Sequence, residues 1–298
     1  MVKDRKRILL AVDGSEQAFE AVRYVSRLLP PNRMEVVLFH VMTRVPESFW
    51  DMEKEPTLRQ KPGDTGSWES QQKKEIQEFM EKARCLFLDQ RVPEDAVGIK
   101  IQERKVGIAR DIIHESQKDY HGVVVGRWGM SMLKDFLWGS VANKLIGGLI
   151  HIPLCVVGGT PQIGKILVAI DASEGAMKAV DYVGAMVDNS HGELTIFHAI
   201  RDFGTEELHR AEKYMESVFE EASGHLEDAG FNSNQIAVKM VTGAYSRAAA
   251  IITEALQGGY GTIVVGRRGL TNVEEFIMGR VSNKVIHMAR EMAVWVVT

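Results

Sequence analysis

The stretch RILLAVDGSEQAFEAVRYVSRLL at residues 7–29 is repeated as KILVAIDASEGAMKAVDYVGAMV at residues 165–187. Each copy starts with a short, nearly continuous apolar run, which is typical of a strand covered on both faces of a parallel sheet. Turn and cap residues follow, and apolar residues then recur at helical spacing. The two stretches therefore predict the same strand-to-helix unit twice in one chain.

The repetition extends beyond these two stretches. His40 and His198 lie in equivalent positions at the ends of the next apolar runs. Near the end of each half, GRWGMSMLKDFLWGSVANKLI at residues 126–146 corresponds to GRRGLTNVEEFIMGRVSNKVI at residues 266–286. A duplicated domain is the simplest explanation of such a long internal match.

The two copies predict two domains, residues 1–159 and residues 164–298. Between them lies the turn-rich segment GGTPQIG at residues 158–164. The first domain carries an insertion at residues 43–70, which is rich in proline, glycine, serine and charged residues. We expect this insertion to be a surface excursion, and a lid or a partner-contact segment is the alternative.

The order of apolar runs and amphipathic stretches reads β-α-β-α-β-α-β-α-β in each half. Alternating strands and helices of this kind predict an α/β domain, here an open five-stranded parallel sheet with helices on both faces. Ligands of such sheets bind at the carboxyl ends of the strands, near the point where the strand order reverses. The residues that follow each strand are therefore the candidate binding residues.

Composition excludes several classes of function. The chain has 298 residues, of which 45% are hydrophobic and 26% charged, and its formal net charge of -4 gives no indication of a nucleic-acid partner. The two cysteines, Cys85 and Cys155, have neither disulfide-framework nor zinc-site spacing. No apolar stretch is long enough to span a bilayer, and the first apolar run is too short for a signal peptide. We expect a cytoplasmic protein without a membrane or nucleic-acid partner.

The glycine-rich segment after the fourth predicted strand indicates an anion site. Gly126, Gly129 and Gly139 allow close approach of the backbone to a ligand, and a helix is predicted to begin near Ser140. Free N–H groups at that helix start, together with the helix dipole, favour a phosphate. The spacing matches neither the Walker loop nor the dinucleotide fingerprint. Structural turns are the alternative, but the recurrence of the spacing in both halves favours a ligand loop.

These residues resemble the universal stress protein family, here as two domains in tandem. The likeness rests on AVDGSE after the first strand, FHV in the second, and the glycine spacing that ends in Gly139-Ser140, and it covers the chain apart from the insertion. It implies a Rossmann-like fold of the adenine nucleotide alpha hydrolase-like type. In the ATP-binding branch of the family it also implies a site for ATP or AMP, with or without Mg²⁺.

The resemblance assigns roles by position in the first half. Asp13 and Val41 would hold the adenosine. The phosphates would be held by Gly126, Gly129, Gly139, Ser140 and Val141, with Arg127 as a further candidate in the same loop. By default, the side chains of Arg127, Arg267 and Arg268 would be solvated, and a phosphate contact is the alternative.

The second half keeps most of the pattern and changes one residue type. The equivalent positions are Asp171, Ala199, Gly266, Gly269 and Gly279, whereas Arg280 replaces the hydroxyl residue. An arginine there can pair with a phosphate or fill the pocket with its bulk. We favour a degenerate second site.

The sequence therefore predicts a stress-response regulator in which an adenine nucleotide acts as a conformational ligand. No set of metal-holding carboxylates is evident, so we expect slow ATP hydrolysis at most. His40 and His198 are expected to be satisfied by backbone groups rather than by a metal. The alternatives are an adaptor whose pockets are relics and, less favoured, an enzyme that forms or cleaves an adenylate. Family members pair through their last strands, which predicts an intramolecular pseudo-dimer here and leaves a homodimer open.

Overall fold

The structure is a computed structural model. It describes residues 5–43, 64–127, 140–187, 189, 192–201, 205–269 and 278–298.

Among the described residues, the first repeat contains five strands and four α-helices. The strands are β1 (Lys6–Ala11), β2 (Met34–Met42), β3 (Val97–Glu103), β4 (Gly122–Gly126) and β5 (Leu154–Val157). The helices are α1 (Glu16–Leu28), α2 (Asp64–Asp89), α3 (Ile108–Ser116) and α4 (Ser140–Gly148).

The second repeat has the same element order. Its strands are β6 (Lys165–Ala169), β7 (Glu193–Arg201), β8 (Ile236–Ala244), β9 (Thr262–Gly266) and β10 (Ala293–Val297). Its helices in the described part of the chain are α5 (Glu174–Met186), α6 (Thr205–Asp228), α7 (Arg247–Gly258) and α8 (Arg280–Met288).

All ten strands form one sheet in the order β3-β2-β1-β4-β5-β10-β9-β6-β7-β8. Strands within each repeat pair in parallel, whereas β5 and β10 pair antiparallel at the junction, with Trp295 opposite Cys155. The predicted α/β class, with a parallel sheet in each of two domains, is confirmed. The strand order reverses between β1 and β4 and again between β6 and β9, so each repeat has one switch point at its carboxyl edge.

Two apolar cores cover the two faces of the sheet. Successive residues of β1 alternate between them, because side chains of a strand point to opposite faces: Ile8 and Leu10 join one core, and Leu9 and Ala11 the other. The first core is completed by α1, α2, α5 and α6, and the second by α3, α4, α7 and α8. Each core includes residues of both repeats, so the two repeats share their packing on both faces of the sheet.

The turn after the first strand of each repeat is built in the same way. Ser15 Oγ accepts a hydrogen bond from Ala18 N at 3.1 Å and caps α1, and Ser173 Oγ accepts from Ala176 N at 3.2 Å and caps α5. The residue before each cap serine lies in the left-handed region, with φ 87° at Gly14 and φ 51° at Ala172. The sequence DASE therefore preserves the DGSE turn although alanine is less suited to it.

The predicted extent of the insertion needs a correction. Helix α2 begins at Asp64, so the last residues of the segment 43–70 are helical rather than part of a loop. A proline two residues ahead and an acidic first residue are helix-start signals, and they outweighed the glycine and serine that suggested a loop. Residues 44–63 lie outside the described part of the chain.

No helix among the described residues is both long and apolar enough to cross a bilayer.

Buried tyrosines at equivalent positions of α1 and α5 meet the β5–β10 junction differently. Tyr24 Oη lies 2.9 Å from Thr262 Oγ1 and accepts a hydrogen bond from Trp295 Nε1 at 2.9 Å. Tyr182 stacks at a tilt on the same indole, with 5.3 Å between ring centroids. Its hydroxyl is buried and has no hydrogen-bond partner among the described residues. Burial raises the pKa of both phenols.

The difference follows from the residues that face each hydroxyl. Gly122 in the first repeat is equivalent to Thr262 in the second. A Cβ placed on Gly122 would lie 2.5 Å from Tyr182 Oη. The first repeat therefore offers Tyr182 no hydroxyl partner at this position. Cys155 occupies the position in the first repeat that is equivalent to Trp295, and it is a fully buried free thiol.

We expect Tyr182→Phe to raise the free energy of unfolding by about 1 kcal/mol, because it removes a buried hydroxyl that has no partner. Tyr24→Phe should lower it by about 1–3 kcal/mol, because the Thr262 hydroxyl and the Trp295 N–H lose their partner. Urea unfolding followed by circular dichroism measures both. Equal shifts in the same direction would contradict this account of the junction.

Candidate functional site

A cavity of about 540 Å³ opens at the carboxyl edge of the second repeat, between β6 and β9. Its volume is in the range of small-molecule sites. All six binding positions that the sequence predicted in this half line it: Asp171, Ala199, Gly266, Gly269, Gly279 and Arg280. Arg280 lies in the wall of this cavity rather than filling it. That the second site is degenerate in ligand binding stays a prediction.

Asp171 anchors the turn that enters the cavity from β6. Its half-buried carboxylate accepts hydrogen bonds from Ser173 N at 3.3 Å and from Ser173 Oγ at 2.5 Å. Gly269 packs directly on this carboxylate, since a Cβ at that position would overlap Asp171 Oδ2. A glycine is therefore required at 269 to let the glycine segment lie against the first turn.

Two hydrogen bonds join the end of β9, where the glycine segment begins, to the start of α8. Gly279 N donates to Arg267 O at 2.8 Å, and Ser282 Oγ donates to Gly266 O at 2.6 Å. A Cβ on Gly266 would lie 2.6 Å from Gly175 O, so the end of β9 also packs on the first turn of α5. Residues 270–277 lie outside the described part of the chain.

The start of α8 presents backbone donors at the cavity wall. Gly279 is the N-cap residue, and it supplies no side-chain hydrogen bond to the first turn. The N–H groups of the first turn and the positive end of the helix dipole therefore remain available for an anion. This arrangement suits a phosphate group.

Each strand-end histidine is held by the backbone, which confirms the prediction for His40 and His198. His198 Nδ1 lies 2.6 Å from Ile170 O, and His40 Nδ1 lies 2.8 Å from Val12 O. Because a carbonyl oxygen only accepts, each Nδ1 carries the proton. The pKa of both rings is lowered, and burial is the main cause at each site. Both rings are therefore neutral near pH 7. No group of three potential metal ligands occurs among the described residues.

The first repeat places its predicted residues at the same edge of the sheet. Asp13 lies after β1, Val41 near the end of β2 and Gly126 at the end of β4, where these parallel strands have their carboxyl ends. Asp13 Oδ1 accepts from Ser15 N at 3.0 Å, which reproduces the Asp171 turn. Ser140 and Val141 form the first turn of α4. The remaining two glycines of the prediction, Gly129 and Gly139, lie outside the described residues.

Arg127 requires a correction. Its side chain is fully buried and donates to Ile286 O at 2.9 Å and Ala289 O at 2.6 Å, at the end of α8 in the other repeat. The guanidinium is bound to carbonyls at the negative end of a helix and is neither solvated nor placed to bind a phosphate. Burial, with a smaller contribution from Arg290, lowers the pKa of Arg127 to about 10, so it remains charged at pH 7.

Arg267 makes the reciprocal contact. It donates to Ile146 O and Leu149 O, each at 2.7 Å, at the end of α4. Arg267 is therefore neither solvated nor bound to phosphate, and both expectations for it are wrong for the same reason as at Arg127. Its neighbour Arg268 is exposed and lines the cavity. The recurrence of an arginine directly after the fourth strand of each repeat is the sequence signal for these paired contacts.

The comparisons with known proteins agree with this architecture. The model of the universal stress protein family matches the chain twice, over residues 4–157 and 162–297. The chain belongs to the universal stress protein family. Universal stress protein YxiE of Bacillus subtilis is 30% identical over 141 residues, which are 43% of this chain and 95% of that protein.

Solved structures of universal stress proteins show the same fold over the whole chain. One from Archaeoglobus fulgidus is 21% identical, covers 98% of each chain and has a TM-score of 0.64. A putative universal stress protein from Pseudomonas aeruginosa is 15% identical, covers 98% of this chain and 93% of its own, and has a TM-score of 0.57. At these identities the likeness concerns the fold alone.

Two arginines of this universal stress protein cavity were missed by the sequence analysis. Arg201 ends β7, and Arg247 opens α7 just beyond β8, with its Nε donating to Ala199 O at 3.2 Å. Both could have been found by inspecting every residue at a strand end, including the edge strand β8.

Proposed function

We propose that this universal stress protein binds an adenine nucleotide, ATP or AMP, and that the nucleotide acts as a conformational ligand of a stress-response regulator. The observation that carries the proposal is the cavity of the second repeat. Six positions selected from the sequence for adenosine or phosphate binding line that one cavity at the switch point of the sheet.

The chemistry of the cavity wall suits both ends of a nucleotide. The Asp171 carboxylate and the backbone at Ala199 would hydrogen-bond the adenosine, and Phe197 adds apolar surface to the cavity. The backbone N–H groups of the glycine segment and of the first turn of α8 would donate to the phosphates. A neutral His198 with its proton on Nδ1 leaves Nε2 as an acceptor for a ligand N–H or O–H.

The first repeat is proposed to bind a nucleotide in the same manner. Asp13 and Val41 would hold the adenosine, and Gly126, Gly129, Gly139, Ser140 and Val141 the phosphates. The Ser140 hydroxyl can also bind a Mg²⁺ ion that accompanies ATP. Since no carboxylate cluster is available to hold such an ion among the described residues, we do not assign a catalytic role to either site.

We infer domains of residues 1–159 and 164–298 that act as an intramolecular pseudo-dimer in the cytoplasm. The antiparallel pairing of β5 with β10 and the reciprocal Arg127 and Arg267 contacts support this arrangement. A ligand bound by a glycine segment would act next to Arg127 or Arg267, and so next to the contact with the other repeat.

Calorimetry on nucleotide-stripped protein tests the proposal. The wild type should bind close to two molecules of ATP per chain when ATP is in excess over Mg²⁺, so that metal-complexed and free ATP are both present. Gly139→Arg should remove the first-repeat site, and Gly269→Ala should remove the second-repeat site, because its Cβ would overlap the Asp171 carboxylate. Each variant should leave about half of the wild-type stoichiometry.

Circular dichroism of each variant provides the folding control. A folded wild type that binds neither ATP nor AMP would contradict the proposal and favour an adaptor with relic pockets. Binding of one nucleotide that Gly139→Arg abolishes would restrict the function to the first repeat.

A further inference from the structure

Five cationic side chains from four parts of the second repeat line its cavity. They are Arg201 at the end of β7, Arg247 at the start of α7, Arg268 in the glycine segment, and Arg280 and Lys284 in α8. Asp171 is the only carboxylate among the described lining residues. The cavity is therefore strongly positive in a chain whose formal net charge is -4.

Asp171 is the only negative charge set against these five cations among the described lining residues. None of the five side chains forms an ion pair with another described residue, although surface cations elsewhere do, such as Lys100 with Glu115 and Lys239 with Glu254. Arg247 donates through Nε to Ala199 O, which leaves its two terminal nitrogens for a ligand. Several like charges at one cavity repel one another, and a polyanionic ligand relieves that repulsion.

The first repeat lacks this cluster at the equivalent positions. Four of the five cationic positions carry an uncharged residue in the first repeat, and the fifth is a lysine in both, Lys144 and Lys284. The uncharged residues equivalent to Arg201, Arg247, Arg268 and Arg280 are, in that order, Thr43, Ile108, Trp128 and Ser140. The match of Ile108 to Arg247 is fixed by structure, since each is the first helical residue after an N-cap, Gly107 or Ser246. The four arginines are thus specific to the second cavity.

The replacement at the helix start changes how phosphate charge can be neutralised. Ser140 offers a hydroxyl that can bind a phosphate oxygen or a Mg²⁺ ion, whereas Arg280 at the equivalent position brings its own positive charge and a planar pair of donors. Arginine and a divalent cation therefore compete for the same phosphate oxygens.

We propose that the second-repeat cavity binds the polyphosphate chain of a nucleotide in its metal-free form, with Arg201, Arg247, Arg268 and Arg280 supplying the charge that Mg²⁺ supplies elsewhere. This inference rests on the proposed nucleotide-binding function and specifies it for one of the two sites. It assigns the two repeats different preferences, for metal-complexed nucleotide in the first and for free polyphosphate in the second.

The test isolates the second site in the full-length Gly139→Arg variant and measures ATP affinity by calorimetry in EDTA and in excess Mg²⁺. ATP should bind more tightly in EDTA, and inorganic tripolyphosphate should compete with it. Adding Arg280→Ser, the residue type of the first repeat, should weaken ATP binding in EDTA about 10- to 100-fold, as expected for the loss of a charge-assisted contact. Arg33→Ser is the matched control, since Arg33 is exposed at the opposite edge of the sheet, before β2.

The possible outcomes separate this inference from the broader proposal. Tighter ATP binding in Mg²⁺ than in EDTA, an unchanged affinity in Arg280→Ser, or no binding to the second site while the wild type binds one nucleotide would each overturn the inference alone. Failure of the wild type to bind ATP or AMP in either buffer would overturn the proposed function as well.

Discussion

Arg127→Met is expected to lower the free energy of unfolding by about 2–4 kcal/mol, because it leaves two buried helix-end carbonyls without their charged donor. Arg127 is 0% exposed, and its terminal nitrogen reaches both Ile286 O and Ala289 O. Methionine fills much of the space of the arginine stem but cannot donate. The relief of guanidinium desolvation offsets part of the loss and keeps the estimate below the full value of two charged hydrogen bonds.

Chemical denaturation followed by circular dichroism measures this effect, and tryptophan fluorescence, to which Trp295 at the junction contributes, gives a second probe. Arg267→Met should act in the same direction through Ile146 O and Leu149 O. Arg33→Met, at an exposed position, should stay within about 0.5 kcal/mol of the wild type. An Arg127→Met protein as stable as the Arg33→Met control would mean that the buried guanidinium does not hold the two repeats together.

Gly158→Ala is expected to lower the free energy of unfolding by about 2–3 kcal/mol through overpacking. Gly158 follows β5, is buried and donates to Met292 O at 3.1 Å. A Cβ at this position would overlap Arg290 O and would lie 2.8 Å from Arg127 Nε. Because the overlapping atom belongs to the backbone, either the loop before β10 or the strand pairing must shift.

Gly147→Ala is the matched control for this substitution. Gly147 lies exposed in α4, and a Cβ there would meet no atom within 4 Å. The same chemical change should therefore raise stability by about 0.5–1 kcal/mol, since alanine is the better helix former. If both variants shifted stability equally in thermal unfolding, the close packing at Gly158 would be excluded as the cause.

Local patterns were sufficient to predict the strands and helices. Apolar runs such as RILLA become β1 because a strand buried on both faces needs apolar side chains on both, and the cap serines Ser15 and Ser173 mark the following helix starts. The start of α2 was misplaced because residues 64–70 mix helix-start signals with loop composition. Errors of this kind concern element boundaries, where local signals are weakest.

The sequence predicted at which edge of the sheet the candidate site lies, but only some of the residues that line it. The second-repeat residues Asp171, Gly269 and Arg280 could be selected because they follow strands or precede a helix in a repeated pattern. Arg201 and Arg247 were not selected, because their approach to the same cavity depends on how β7, β8 and α7 pack around it. Whether a side chain lines a cavity is a property of neighbouring elements and cannot be read from local spacing.

The sequence by itself determined the duplication, the parallel α/β sheet of each repeat and the edge of the sheet at which the second-repeat cavity opens. These features follow from periodicity and turn chemistry within short segments. Only the tertiary structure decided that Arg127 is buried against the carbonyl of Ile286, 159 residues away. It also decided that Arg268, next to the equivalent Arg267, lines the cavity. The physical reason is that a buried guanidinium is stable only where distant chain segments supply acceptors for it, and no local pattern encodes where those acceptors will be.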